Sequence, residues 1–119
     1  MQQTDNTYCR NGDIFMADLP DDTNGSIQSG TRPVVIVSNN LANRHSPVIT
    51  ILPITSQMSK KKLPTHITIE DCGLKIKSIV LAEQIMSINK KSLIRKMGSI
   101  TETVYEPKIE RAIEIQLSL

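Results

Sequence analysis

Tryptophan is absent from this 119-residue chain, phenylalanine occurs once and tyrosine twice. With so few flat side chains, stacking is a minor resource for recognition, and amide and hydroxyl contacts must carry most of any specificity. Cysteine is nearly as scarce. Cys9 and Cys72 lie far apart, neither has a Cys-x-x-Cys neighbour, and only His45 and His66 could join them as soft ligands. That spacing argues against a disulfide framework and a zinc site, so reduced thiols and no metal or cofactor are expected. No apolar run approaches the roughly 20 residues needed to cross a bilayer. The amino-terminal stretch Met1–Thr7 is polar and lacks the basic start and apolar centre of a secretory signal, which points to the cytoplasm and away from a membrane. Internal repeats and low-complexity tracts are missing as well.

What is present suits one globular domain over residues 1–119, with residues 1–10 expected to be flexible. Apolar residues make up 39% and the mean hydropathy is −0.18. The net charge of +2 is unevenly spread: residues 1–59 carry −2, and residues 60–96, with eight lysines and Arg95, carry +6. Such a section can face a nucleic-acid backbone, or it can simply be a solvated face.

The organising stretch is Ser29–Asn40. Its β-branched run Val34–Val37, bounded by Pro33 and by Ser38-Asn39-Asn40, predicts a strand buried on both faces. Arg32 stands where a Gly-containing loop meets this strand. It can hold its fork toward a polyanion, or pair with a carboxylate at the surface.

Around it, Gly12–Leu19 predicts a first strand ended by Pro20, and Asp21–Thr31 a flap of loop residues. Asn40–His45 allows a helical turn or two before Ser46-Pro47. Val48–Thr55 predicts a second apolar strand that must be at an edge, bulged or finishing at Pro53. A bulge there would aim Thr55 and Ser56 into a site; the plainer use of these hydroxyls is turn capping. Thr65–Glu70 alternates with period two, and its His66 reads as structural before catalytic. Asp71–Leu74 predicts a turn, Ser78–Ile85 a buried strand with a polar end at Glu83-Gln84, and Lys90–Ile100 a turn and a last strand with a glycine bend. From Thr103 onward Ile109, Ala112, Ile113, Gln116 and Leu117 recur at helical spacing. Thr103 and Glu106 could form a capping box, although Pro107 argues for a start near Tyr105 or Glu106. The sum is a small α+β domain with a twisted antiparallel sheet or partly closed barrel, short helices and a C-terminal helix.

Several stretches taken together resemble the MazF/PemK/Kid family of toxin endoribonucleases from bacterial type II toxin–antitoxin pairs. They are Gly12-Asp13-Ile14-Phe15, Ala17-Asp18-Leu19, Gly25-Ser26 with Gln28, and Gly30-Thr31-Arg32-Pro33-Val34-Val35-Ile36. Further on come Asn39, Asn43-Arg44, Ser46-Pro47, Pro53-Ile54-Thr55, Lys62-Leu63-Pro64-Thr65-His66 and Leu81-Ala82-Glu83-Gln84-Ile85. The resemblance implies an SH3-like barrel that forms a homodimer and cuts single-stranded RNA at a short sequence without metal. A cognate, MazE-like antitoxin would block the groove, and operator DNA would be bound only together with it.

The matched catalytic positions are Arg32 and Thr55. The implied reaction is attack of the RNA 2′-hydroxyl on the adjacent phosphorus, giving a 2′,3′-cyclic phosphate and a 5′-hydroxyl. Arg32 suits charge relief on the phosphorane, and Thr55 can donate a further hydrogen bond. The proton acceptor is open between Glu83 and water, with His45 and His66 behind them. Expected RNA contacts are Ser26, Gln28, Asn39, Ser56, Lys61, Glu83 and Gln84. Three positions depart from the family pattern: Ile27 stands where many relatives have glutamate, Ser29 where glycine or alanine is usual, and Met86 where a basic residue is common. An alternative use of the fold, poisoning a protein such as DNA gyrase as CcdB does, depends on a C-terminal Trp-Gly-Ile ending; this chain ends Gln116-Leu117-Ser118-Leu119.

Overall fold

Val34, Val35 and Ile36 have no solvent exposure, as a strand covered on both faces requires, and the sheet is laid down around them. The computed structural model describes residues 8–58 and 62–119. Within them the order is β1 (Asp13–Leu19), β2 (Gly30–Ile36), α1 (Asn40–His45), β3 (Val48–Thr55), β4 (His66–Ile69), β5 (Ser78–Leu81), β6 (Met86–Asn89), β7 (Leu93–Ser99) and α2 (Tyr105–Leu117). Every ladder is antiparallel, and the strands run β4-β5-β3-β2-β1-β7, with β6 also on β3. The α+β class and the twisted antiparallel sheet agree with the expectation from sequence. The path has two ends, so the sheet stays open instead of closing into a full barrel.

Strand alternation sorts the core into two layers. Phe15, Ala17, Leu19, Val34, Ile36, Ile49 and Ile51 fill one. Ile14, Val35, Leu52 and Ile54 fill the other, where Ile109 and Ala112 of α2 cover them. Helix α2 starts at Tyr105, which puts Pro107 in its first turn, where a backbone donor has no partner to lose. The expected capping box is displaced: the Tyr105 N–H donates to Thr103 Oγ1 at 3.2 Å and the Glu102 N–H to Glu106 Oε1 at 3.3 Å. Gln116 and Leu117 are exposed, so only the first half of the helical stripe is core. Cys9 is buried in the first layer, so packed structure begins within the ten residues expected to be flexible.

The strand expected over Ser78–Ile85 is shorter, and this shapes the site. Val80 lies opposite Ile54 and Met86 opposite Ile51, so six steps along one chain match three along β3. The surplus leaves the ladder as a 3₁₀ turn, Ala82–Gln84, before β6 resumes pairing. Pro53 falls between these two pairings, where a missing N–H interrupts least. β6 itself is short and had no clear signal in the sequence.

Two matched motifs have structural work. Buried Asp13 accepts from the Arg10 N–H at 2.9 Å and pairs with Lys96 at 3.3 Å. Buried Asn43 donates to the Ser38 carbonyl at 2.9 Å and accepts from the Ser38 hydroxyl, tying α1 to the end of β2.

Candidate active site

The β2–β3 ladder ends at Val34 opposite Pro53. Two residues beyond that pair come Arg32 on β2 and Thr55 on β3. Gly30, at φ +76°, turns the chain just before Arg32, a conformation glycine adopts freely. The turn brings the Ser29 carbonyl within 2.7 Å of Arg32 Nε, which donates to it. With Nε anchored, the terminal nitrogens of the guanidinium stay available, and among the described residues no carboxylate pairs with them. The surface ion pair entertained for Arg32 is therefore not formed. Thr55 is buried, and its Oγ1 accepts from the Gln57 N–H at 3.2 Å. Turn capping and site duty are compatible here, since the hydroxyl keeps its own proton to donate.

Arg32 and Thr55 open into neighbouring depressions. Thr55 lines a cleft of about 520 Å³ with Gln28, Gln57, His66, Glu83 and Gln84. Arg32 and Ser56 line a smaller one, about 290 Å³, with Thr31, Lys75 and Arg95. The end of β3 separates the two, with Thr55 on one side and Ser56 on the other.

The 3₁₀ turn delivers Glu83 and Gln84 to the cleft. Both Glu83 oxygens are engaged: Thr65 Oγ1 donates to Oε1 at 2.9 Å, and His66 Nε2 lies 2.7 Å from Oε2. The Gln84 carboxamide ties down the flap, its Oε1 accepting from the Gln28 N–H at 2.7 Å and its Nε2 donating weakly to the Ser26 carbonyl at 3.4 Å. Within the flap, N–H groups of Ile27 and Asn24 donate to Asp22 and hold its carboxyl below the ordinary carboxylate range. This support is complete at neutral pH and is lost as pH falls through that lowered value.

Gln84→Ala should leave the fold intact and speed hydrogen exchange at the Gln28 amide by about tenfold, the equivalent of one good hydrogen bond. Unchanged exchange at that amide would show that Gln84 does not secure the flap.

Of the sequence-predicted positions, Thr55, Gln28, Glu83 and Gln84 meet in one cleft, Arg32 and Ser56 lie next door, and Ser26 is on the flap beside Gln84. Asn39 stands apart at the other end of β2, accepting from the Ala42 N–H at 2.8 Å as the N-cap of α1. His45 is exposed at the end of that helix. Lys61 and its neighbour Lys60 lie outside the described residues. Sequence reasoning missed Gln57, Lys75 and Arg95, which carry no local signal, and the clamp of Thr65 and His66 on Glu83. Burial, with Asp71 adding to it, pushes the Cys72 thiol up and so favours its protonated form. Among the described residues no group of three or more His, Cys, Asp or Glu side chains could hold a metal ion. No helix among them is long and apolar enough to cross a membrane.

Comparisons with known proteins place this fold and sequence among named relatives. Residues 10–117 match the family model of the PemK-like, MazF-like toxin of type II toxin–antitoxin systems. An endoribonuclease MazF from Staphylococcus epidermidis is 38% identical over 112 residues, spanning 92% of each chain. Among solved structures, an endoribonuclease in complex with its cognate antitoxin from mycobacterial species superposes with a TM-score of 0.72 at 26% identity, covering 94% of this chain and 95% of that one. A second mycobacterial endoribonuclease reaches a TM-score of 0.75 at 24% identity over 95% and 94% of the two chains, a likeness of fold. The chain belongs to the PemK-like, MazF-like toxin family and is a toxin endoribonuclease of a type II toxin–antitoxin system.

Proposed function

We propose that this endoribonuclease cuts single-stranded RNA, messenger RNA above all, at a short sequence by intramolecular attack, without a metal ion, and so stops translation and growth. The observation that carries the reading is Arg32 anchored through Nε on the Ser29 carbonyl, level with Thr55 across the end of the ladder and beside a polar cleft holding a carboxylate. An RNA strand laid over the end of β3 would meet Arg32 from one side and Thr55 with Glu83 from the other.

In the reaction the O2′–P bond forms and the P–O5′ bond breaks. Arg32 and the Thr55 hydroxyl stabilise the charge gathering on the phosphorane oxygens, where preorganised donors have their largest effect. Glu83 accepts the O2′ proton, and the departing O5′ takes one from the medium. His45 is too remote for that duty, and His66 is already engaged with Glu83. Base selection falls to the flap and the cleft rim through Ser26, Gln28, Ser56 and Gln84. Lys61 adds salt-sensitive affinity for the backbone, and Asn39 is an outlying contact. The working form is a homodimer in the bacterial cytoplasm. It is held inactive by a cognate antitoxin, in whose company alone it binds operator DNA; the complex of a similar mycobacterial chain with its antitoxin supports such a partner.

The test uses a mixed single-stranded RNA pool in EDTA. Cleavage is expected to persist, and the new 3′ ends to resist phosphatase until the cyclic phosphate is opened, with 5′ ends that need a kinase before ligation. Loss of cutting in chelator, or 5′-phosphate ends, would overturn the mechanism. Intact RNA from a protein that still arrests cells would instead point to a protein target.

A further inference from the structure

We propose that His66 is a positioning residue for RNA cleavage: it fixes the Glu83 carboxylate, together with Thr65, in the orientation that receives the 2′-hydroxyl proton. The inference rests on the ribonuclease reading above and concerns a residue that does not itself touch the reacting atoms.

Glu83 sits in the three-residue excursion that leaves the β3 ladder, so no strand pairing sets its direction. Two consecutive residues at the entry to β4 set it instead, Thr65 just before the strand on one oxygen and His66, its first residue, on the other. The fold does not need this bridge to hold the turn in place. Ala82 N–H already donates to the Thr65 carbonyl at 3.0 Å, and His66 is in register with Leu81. The side-chain clamp is thus additional to the backbone attachment, and its product is a defined carboxylate direction.

The imidazole shows the same thing from its other side. A carboxylate only accepts hydrogen bonds, so Nε2 carries a proton, and in the neutral ring Nδ1 is then the acceptor. Nδ1 is buried and has no hydrogen-bond partner among the described residues. A buried acceptor without a donor is unfavourable, so the contact that holds the ring in this seat is the one from Nε2 to Glu83. The exposure gradient fits the role: the His66 side chain is 10% exposed and that of Glu83 27%, so the clamp is inside and the clamped group reaches into the cleft beside Thr55. One donor per oxygen leaves each oxygen a further lone pair, and one of them can accept from the ribose.

The closing experiment has two arms. In the free protein, ¹⁵N spectroscopy of the imidazole is expected to show His66 with Nε2 protonated and Nδ1 bare at neutral pH; the opposite tautomer overturns the clamp. In kinetics, an oligonucleotide carrying the cut site mapped with wild-type protein is the substrate. His66→Phe is expected to lower kcat about a hundredfold with KM nearly unchanged, the cost of a carboxylate displaced by about 1 Å. His66→Gln, which keeps a donor, should stay within about fivefold of wild type. Since His66 acts through Glu83, His66→Phe added to Glu83→Gln should cost nothing further. Full kcat in His66→Phe, a loss confined to KM, or additive losses in the double variant would each overturn the inference. If the phenylalanine variant does not fold, His66→Met gives the same comparison with a side chain that adapts to the space. Wild-type protein that leaves RNA intact would defeat the ribonuclease reading itself, whereas active wild type with an indifferent His66 defeats only this proposal.

Discussion

Arg32→Ala should abolish cleavage, lowering kcat by about a thousandfold or more, while the melting temperature moves by only a few degrees. A single donor aimed at a developing oxyanion contributes about 3–4 kcal/mol, and a guanidinium facing a transferring phosphoryl group is worth about 10³–10⁵ in rate. The fold loses far less. Arg32 is half-buried, pairs with no carboxylate among the described residues, and gives up one hydrogen bond to the Ser29 carbonyl, about 1 kcal/mol. Arg32→Lys keeps the charge but neither the anchored Nε nor the two-pronged fork, and should remain about a hundredfold down. Cleavage of the mapped oligonucleotide by Arg32→Ala at within tenfold of wild type would remove this residue from the chemistry. So would a parallel loss of melting temperature large enough to account for the missing activity.

Gly98→Ala has the largest expected effect on stability. A Cβ at Gly98 would overlap the Cys72 carbonyl oxygen, and a Cβ at Gly73 would overlap the Met97 carbonyl oxygen. Strand β7 and the turn after β4 therefore cross backbone to backbone, each needing a glycine from the other. Neither wall is a flexible side-chain tip, so the strand must shift, at a cost of about 3 kcal/mol or more. For a chain of this size that lowers the melting temperature by about 10 °C or more. Gly25→Ala is the matched control: its φ of +72° is unfavourable for alanine, but no atom lies within 4 Å of the added carbon, so about 1–2 kcal/mol covers it. Thermal melts that rank the two variants the other way would show that the crossing yields more easily than its geometry implies.

The glycine pair also marks where sequence reading stops. Gly98 reads as a bend in a last strand, and the turn at Asp71–Leu74 reads as a turn, but no local pattern says that they touch. Periodicity is a one-dimensional signal. It located β1, the buried core of β2, β3, β4 and α2, because alternation and helical spacing record which side chains face the core. It overran at Ser78–Ile85, since an apolar run looks the same whether it continues in the ladder or leaves it as a 3₁₀ turn. The difference depends on how many residues β3 offers opposite, which is a property of the partner strand.

The same division holds at the site. Arg32, Thr55, Glu83 and Gln84 were legible as chemistry from residue type and from their ordered resemblance to a family. That Gln84 fastens the flap, that Arg32 and Thr55 occupy two sides of one strand end, and that His66 and Thr65 grip Glu83 were not legible. The partners in these contacts are separated by 17 to 58 positions in the chain, and only the register of four strands brings them together. By itself the amino-acid order determined the class of fold, the core and the candidate groups for the chemistry, because burial and reactivity are written in residue types. Tertiary structure alone decided direction: which way the carboxylate, the guanidinium and the carboxamide point is set by hydrogen bonds across strands, and such bonds leave no trace in local sequence.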